Sequence, residues 1–224
     1  LALSQPGLFQ AQIKALFRAQ SRLLKENKSL TPPEISIPMI MDRRELKILR
    51  FGKYVYGKEI PGIQSLADEV AQEAELSHIP HKVGVKIDMP ASALQAGQMA
   101  KYADFLLFDT DSLTEHSFVF SKTHAGDYLY HYSDLDILAD TSFSKLRDEI
   151  KELVTLACAR ARMIRPDIKL ALSDSGQNPQ DSLSFSEELN LDFIACPVHS
   201  LPIFQCLLAQ SAIRAKEKPQ TSPE

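Results

Sequence analysis

The chain lacks the features that mark several large classes of protein. It has no apolar run near the roughly 20 residues that a membrane-spanning helix needs. Its three cysteines, Cys158, Cys196 and Cys206, do not have the spacing of a metal site and fit a reducing compartment. The formal net charge of -4 argues against a nucleic-acid partner. With no secretion signal at the start of the sequence, we expect a cytoplasmic location and no membrane partner.

What the chain does have is the composition of a globular domain. Its 224 residues are enough for one large domain with its own core. Hydrophobic residues make up 44% of the chain and charged residues 24%, which are ordinary values for a globular protein. We predict one domain over residues 1–218 and a disordered tail at residues 219–224.

Short strand-like stretches alternate with stretches of helical spacing along the chain. The predicted strands are Glu34–Ile40, Val83–Asp88, Phe105–Asp109, Lys169–Ser173 and Phe193–Cys196. The predicted helices cover residues 8–24, 44–54, 62–75, 90–101, 143–162, 181–189 and 202–216, with a further short helix opening at residue 112. Because each strand is followed by a helix, the pattern favours an α/β fold with a mostly parallel sheet and helices outside it.

Polar and acidic residues follow two neighbouring strands directly. One strand ends with Asp88, and the next along the chain leads into Thr110, Asp111 and Ser112. Ligands of α/β proteins bind at the carboxyl ends of the strands, and a helix start can offer backbone N–H groups to an anion. The same residues also fit plain structural roles, because Ser112 and Glu115 form a capping-box pattern and Asp88 precedes a helix start.

Four segments match, in order, the motifs of one enzyme family. They are Pro33–Ile40, which resembles P-E-I-M-x-P; Val83–Leu94, which resembles V-G-x-M-I-E-x-P-x-A-A-L; Phe108–Glu115, which resembles F-G-T-N-D-L-T-Q; and Asp192–Cys196, which resembles L-D-Y-V-S-C. The chain is similar to the C-terminal barrel of the phosphoenolpyruvate (PEP)-utilising enzymes, of the dikinase type. The resemblance covers nearly the whole chain. It implies a partial (β/α)8 TIM-type barrel that consists of the last five β/α units, with parallel strands. The first three strands of the barrel are expected to be absent from this chain.

The resemblance implies a Mg²⁺ site at two of the strand ends. The family holds the metal with a Glu and an Asp, and these positions are Asp88 and Ser112 here. Ser112 removes a charged ligand, so the neighbouring Asp111 is the second metal candidate. Mg²⁺ requires near-octahedral geometry at about 2.1 Å, so we expect a weakened site. The Gly of the family motif is Asp109, which adds negative charge where the phosphate should bind.

The catalytic position implied by the resemblance is Ser173. In the family a cysteine there gives a proton to the enolate of pyruvate, and the alignment is set by Arg165–Lys169, which resembles R-P-x-L-K. A hydroxyl is a far weaker acid than a thiol, whose pKa is about 8.5. Losing general acid catalysis commonly lowers the rate by about 10²–10⁴-fold, so we do not expect Ser173 to replace the cysteine.

Three functions remain open at this point. The first is a PEP- and pyruvate-binding barrel domain of a dikinase-like phosphotransferase, inactive as this isolated chain, with Mg²⁺ as the implied cofactor. The second is a catalytically inactive paralogue that serves as a binding or assembly module. The third, a 2-keto acid lyase or aldolase of the same barrel group, ranks last because the metal pair and an early-strand Arg are not intact. Since five strands leave two open edges, we expect a homodimer, or a chain or segment that completes the barrel.

Overall fold

A sheet of five parallel strands forms the centre of the computed structural model, which describes residues 2–26, 28, 31–55, 57–119, 129, 131, 132, 134, 135, 146–176 and 178–217. The strands of the chain are β1 (Glu34–Ile37), β2 (Lys53–Val55), β3 (Lys58–Ile60), β4 (Lys82–Ile87), β5 (Phe105–Asp109), β6 (Lys169–Ser173) and β7 (Phe193–Ala195). The central sheet has the order β1-β4-β5-β6-β7, and every neighbouring pair in it is parallel. The predicted α/β class and its five parallel strands are confirmed.

Helices follow the strands of this sheet along the chain. They are α1 (Pro6–Lys25), α2 (Arg43–Phe51), α3 (Ile63–Glu73), α4 (Pro90–Leu94), α5 (Ala96–Met99), α6 (Thr110–Phe118), α7 (Asp148–Ile164), α8 (Pro179–Glu188) and α9 (Leu201–Glu217). Within the described ranges, none of the helices has the length and apolar character to cross a bilayer.

The prediction of a helix over residues 44–54 is wrong at the carboxyl end of the helix. It stops at Phe51, because Gly52 adopts a φ of +82° that favours glycine. A Cβ on Gly52 would lie 2.8 Å from the carbonyl oxygen of Ile60. The chain therefore turns there and forms the antiparallel hairpin of β2 and β3 instead of another helical turn.

Two other predicted helices differ from the observed ones in their boundaries. The one predicted over residues 90–101 is broken at Gln95 into α4 and α5. The long helix predicted from residue 143 is observed from Asp148 onward, and residues 143–145 lie outside the described part of the chain. The tail predicted at residues 219–224 lies outside it as well.

The two faces of the sheet differ in how well they are covered. One face is packed under the helices, and six of its side chains have no exposed area: Val85, Ile87, Leu106, Phe108, Leu170 and Leu172. Because side chains alternate along a strand, Lys86, Leu107 and Ser173 point to the other face, and all three are only half-buried. Strands β1 and β7 are the edges of the sheet, which is open in the described part of the chain.

A pair of aspartates links neighbouring strands at their amino ends. Asp104 donates its N–H to the Val83 carbonyl (2.7 Å), and its carboxylate accepts the Val83 N–H (2.9 Å). Asp192 makes the same two contacts with Leu170, at 2.7 and 2.9 Å. Each aspartate lies directly before one strand and hydrogen-bonds to the start of the neighbouring strand. The same pair of hydrogen bonds therefore links β4 to β5 and β6 to β7.

Candidate functional site

A cavity of about 530 Å³ opens at the carboxyl ends of the strands. Its walls come from the ends of β4, β5 and β6, from the start of α6 and from the segment after β7. The lining residues are Lys86, Asp109, Asp111, Ser112, Glu115, Ser173, Asp174, Ser175, Ala195, Cys196 and Pro197. The register brings these walls together, since Asp109 is the partner of Ser173 and Ser173 the partner of Ala195. In α/β proteins this edge of the sheet is where ligands bind.

An ion pair forms part of the cavity wall. The ammonium of Lys86 contacts Oδ2 of Asp109, whose side chain is only 9% exposed. Burial alone would raise the pKa of the Asp109 carboxyl. The hydrogen bonds from Lys86 and Ser112 and the charge of Lys86 outweigh that effect and lower its pKa, so Asp109 is a carboxylate at neutral pH.

Asp109 also caps the helix that follows it. Its Oδ1 accepts the backbone N–H of Ser112 (3.0 Å) and its Oδ2 accepts the Ser112 hydroxyl (3.0 Å). Helix α6 therefore begins at Thr110, and the expectation that Ser112 opens a helix through a capping box is wrong. Of the three residues predicted to offer N–H groups to an anion, Ser112 already gives its N–H to Asp109. Thr110 is buried, and Asp111 lines the cavity.

Asp88 lies at the end of β4 but does not line this cavity. It is 4% exposed, and its Oδ2 accepts the N–H of Met39 (2.9 Å), whose φ of 55° is unusual for a residue other than glycine. Its Oδ1 is buried and has no hydrogen-bond partner among the described residues. Burial raises the pKa of Asp88 despite the hydrogen bond from Met39. The Asp88 carbonyl accepts a hydrogen bond from Nδ1 of His116 (2.6 Å).

The residues present do not fit a Mg²⁺ ion held by Asp88 and Asp111. Asp111 lines the cavity, whereas Asp88 does not. Within the described ranges, the structure forms no group of three His, Cys, Asp or Glu side chains that could hold a metal. Mg²⁺ needs several oxygen ligands near 2.1 Å, and the oxygens of Asp109 are already engaged by Lys86 and Ser112.

Ser173 lies at the end of β6 and lines the cavity as predicted for a strand-end residue. The next residue, Asp174, is buried; its carboxylate accepts the N–H of Gly176, and its own N–H is donated to the Ala195 carbonyl (2.9 Å). Cys196 brings a thiol to the same cavity. Burial, followed by the charge of Asp174, raises the pKa of that thiol, so it stays protonated at neutral pH.

Sequence reasoning missed three residues of this site: Lys86, Asp174 and Cys196. Lys86 carried a usable signal, because it is a lysine between apolar residues of a strand and stands where the family pattern has methionine. Asp174 and Cys196 carried none, since an aspartate in a turn and a cysteine near a strand end are ordinary. Their place in the cavity follows from the strand register.

These features define an α/β domain with an acidic cavity at the carboxyl ends of a parallel sheet. The sequence model of the family described as "PEP-utilising enzyme, PEP-binding domain" matches residues 1–213. The chain therefore belongs to this family, as the motifs in its sequence predicted.

Three relatives are pyruvate, phosphate dikinases. That of Treponema pallidum is 34% identical over 223 residues, which are 100% of this chain and 25% of the relative. Those of Rhizobium meliloti and Clostridium symbiosum are 31% and 28% identical, covering 97% and 96% of this chain and 23% and 24% of the relatives. The chain thus spans about a quarter of the length of these relatives. The match to the solved structure of the citrate synthase SbnG covers 82% of this chain and 63% of that structure's chain, at 13% identity and a TM-score of 0.43.

Proposed function

We propose that this domain binds a small carboxylate of the PEP or pyruvate class in the cavity at the strand ends. The observation that carries the proposal is the cavity itself, which lies where α/β folds bind ligands in a chain of the PEP-binding family. Ser173 and the start of α6 border the space, and Thr110, Asp111 and Ser112 stay predicted contacts of the ligand. In this proposal residues 1–218 form one domain. We also propose that the domain is located in the cytoplasm.

The charge of the cavity limits what the chain does alone. Among the described residues, its lining contains one ammonium, that of Lys86, and the four carboxylates of Asp109, Asp111, Glu115 and Asp174. PEP is an anion, so this excess of negative charge opposes its binding. We therefore expect further positive charge to come from outside these residues.

The open sheet offers a place for such a supplement. Five strands with edges at β1 and β7 have the order expected for part of a (β/α)8 barrel. Parallel sheets are normally covered on both faces, whereas the cavity face here is half-exposed at Leu107 and Phe193. We propose that another segment, a further chain or a second copy completes this face and brings the missing cations.

The chain's own residues support binding better than chemistry. The Ser173 hydroxyl borders the cavity at the position of the family's acid, but it gives up a proton far less readily than a thiol. Cys196 holds its proton tightly for the reasons given above. Because the residues do not fit Mg²⁺, we expect no phosphoryl transfer by this chain alone.

Calorimetric titration of the chain with pyruvate, oxalate and PEP tests the proposal. We expect weak binding of the first two at millimolar concentrations, abolished by Ala195→Phe, which fills the cavity. Ala15→Phe, the same change on the exposed side of α1, is the matched control and should bind like the wild type. The absence of heat with every ligand, with the fold intact by circular dichroism, would contradict the proposal.

A second candidate is a catalytically inactive binding or assembly module. The observation that favours it is helix α9, where four apolar side chains are 45–57% exposed: Leu201, Ile203, Leu208 and Ile213. Leu201 and Leu208 lie two turns apart on one side of the helix, where they offer apolar area to a partner. Titration with pyruvate and oxalate separates the two candidates, since binding supports the first and the absence of binding to the folded chain supports the second. The lyase or aldolase alternative stays an untested prediction.

A further inference from the structure

The cation that the cavity does contain is a lysine side chain. Lys86 lies between Val85 and Ile87, which have no exposed area on the helix-covered face. Its own side chain points to the opposite face and is 32% exposed. Its ammonium reaches Asp109, a carboxylate that is almost fully buried. A charge in such a position is stable only when an opposite charge accompanies it, so each residue holds the other in place.

Asp109 in turn occupies the place that an anion would take at the start of α6. A helix N-terminus attracts negative charge, and the N–H of Ser112 points at Oδ1 of Asp109 rather than into the cavity. The Ser112 hydroxyl and the Lys86 ammonium bind Oδ2. The two oxygens thus accept hydrogen bonds from one ammonium, one amide and one hydroxyl.

A divalent cation has no ready place beside this arrangement. At Asp109 it would have to displace the ammonium of Lys86 or lie within a few ångströms of it, where like charges repel strongly. Two further buried acids stand at strand ends. Asp88 uses Oδ2 for the N–H of Met39 and does not line the cavity. Asp174 lines the cavity, and its carboxylate accepts the N–H of Gly176. We infer that the Lys86 ammonium takes the place of a divalent cation in this cavity, so that ligand binding here is independent of Mg²⁺.

The inference also defines the chemistry of the ligand, and in this part it rests on the proposed function. An ammonium is a compact charge that donates hydrogen bonds and can bind a carboxylate oxygen directly. The Ser173 hydroxyl lines the same cavity and supplies a second polar contact. A small 2-keto acid or dicarboxylate presents oxygens for both groups. Pyruvate and oxalate are therefore the probes.

Titration of the 224-residue chain with Mn²⁺ tests the inference without any ligand. The EPR signal of free Mn²⁺ measures how much of the metal binds. We expect the wild type to leave the signal unchanged. Lys86→Met removes the ammonium, so its affinity for Mn²⁺ should rise at least about tenfold. Lys86→Gln serves if the Met variant does not fold, because it removes the charge and keeps a hydrogen-bond donor for Asp109. Lys82→Met, the same change at the exposed amino end of β4, should behave like the wild type.

The possible outcomes are distinct. Tight Mn²⁺ binding by the wild type would overturn the inference, and so would the failure of both folded Lys86 variants to gain Mn²⁺ affinity. Oxalate titrations in Mg²⁺ and in EDTA form the second arm, in which the wild-type affinity should not change. Mg²⁺-dependent oxalate binding would also overturn the inference. If neither oxalate nor pyruvate binds to the wild type or to the variants in either buffer, the proposed function fails. The Mn²⁺ experiment still decides the role of Lys86 in that case.

Discussion

Aspartates stand at both ends of the parallel sheet, but they are partnered differently. At the amino ends, Asp104 and Asp192 each accept a backbone N–H of the neighbouring strand. Each also pairs with a cation: Asp104 with Arg50 (3.0 Å) and Asp192 with Lys169 (2.6 Å). At the carboxyl ends, several carboxylates face one cavity, and within the described part of the chain its lining has a single ammonium, that of Lys86.

This difference separates two uses of the same residue type. An aspartate with a backbone donor and a cation joins two strands and is satisfied within the fold. An excess of carboxylates around a cavity raises the electrostatic energy of the domain, so stability does not account for it. We therefore interpret the two aspartates at the amino ends as a structural lock and the carboxyl ends as the proposed binding site. The predictions below test this division.

Removing the lock should have the largest effect. Asp104→Ala leaves the N–H of Val83, which is 1% exposed, without its acceptor and takes the carboxylate away from Arg50. We expect it to lower the free energy of unfolding by about 3 kcal/mol, measured by urea denaturation. Asp104→Asn keeps an oxygen acceptor and should lose about half as much. Asp167→Ala, at a carboxylate that is 79% exposed, is the control, and an equal loss there would remove the distinction.

Replacing the lysine at each end compares the two ion pairs directly. Lys86→Met strips the partner from a carboxylate that is 9% exposed and should lower the free energy of unfolding by about 2 kcal/mol. Lys169→Met removes a lysine that is 59% exposed from Asp192, which keeps the N–H of Leu170. We expect a loss below about 1 kcal/mol there. Equal losses in urea denaturation would mean that the Lys86 pair is no more desolvated than the surface pair.

The sequence predicted the sheet better than the site. Strands β5 and β6 have the predicted boundaries, because a run of apolar residues ending in a polar one is a local signal. The turn at Gly52 was missed because its φ is fixed by packing against a later segment. The contact between Lys86 and Asp109 depends on the register of β4 and β5, which sets residues of two strands side by side and cannot be obtained from either strand alone.

Asp192 at the amino ends and Asp88 at the carboxyl ends should respond to acid with opposite signs. Burial tends to raise the pKa of Asp192, but the hydrogen bonds of Lys169 and Leu170 and nearby positive charge lower it below its usual 3.8. Asp192 therefore adds stability above pH 3.8 that is lost as the pH falls through its folded pKa. Burial raises the pKa of Asp88 above 3.8, so its contribution is present below that pH and is lost as the pH rises.

Urea denaturation of Asp192→Asn and Asp88→Asn over a series of pH values measures these signs. The wild type should lose its advantage over Asp192→Asn as the pH falls below 3.8, and gain relative to Asp88→Asn as the pH falls toward 3.8. The charge of Lys86 lowers the pKa of Asp88, whereas the charge of Asp109 raises it. Lys86→Met removes the lowering charge, so it should enlarge the pH dependence that Asp88 gives to the free energy of unfolding. The same sign for both aspartates would contradict the opposite pKa shifts of Asp192 and Asp88.

The smallest effect is expected at Ser173. Ser173→Cys exchanges one oxygen for sulfur on a half-buried side chain and should change the free energy of unfolding by less than about 0.5 kcal/mol. The new thiol would lie in a cavity lined by Asp109 and Asp174, whose negative charge disfavours a thiolate. We therefore expect slow reaction with a disulfide reagent, measured in a chain whose exposed Cys206 is replaced by Ser and compared with the same chain without the new cysteine. Fast reaction at neutral pH would show that Lys86 governs the potential of the cavity and that its acidic residues are already neutralised.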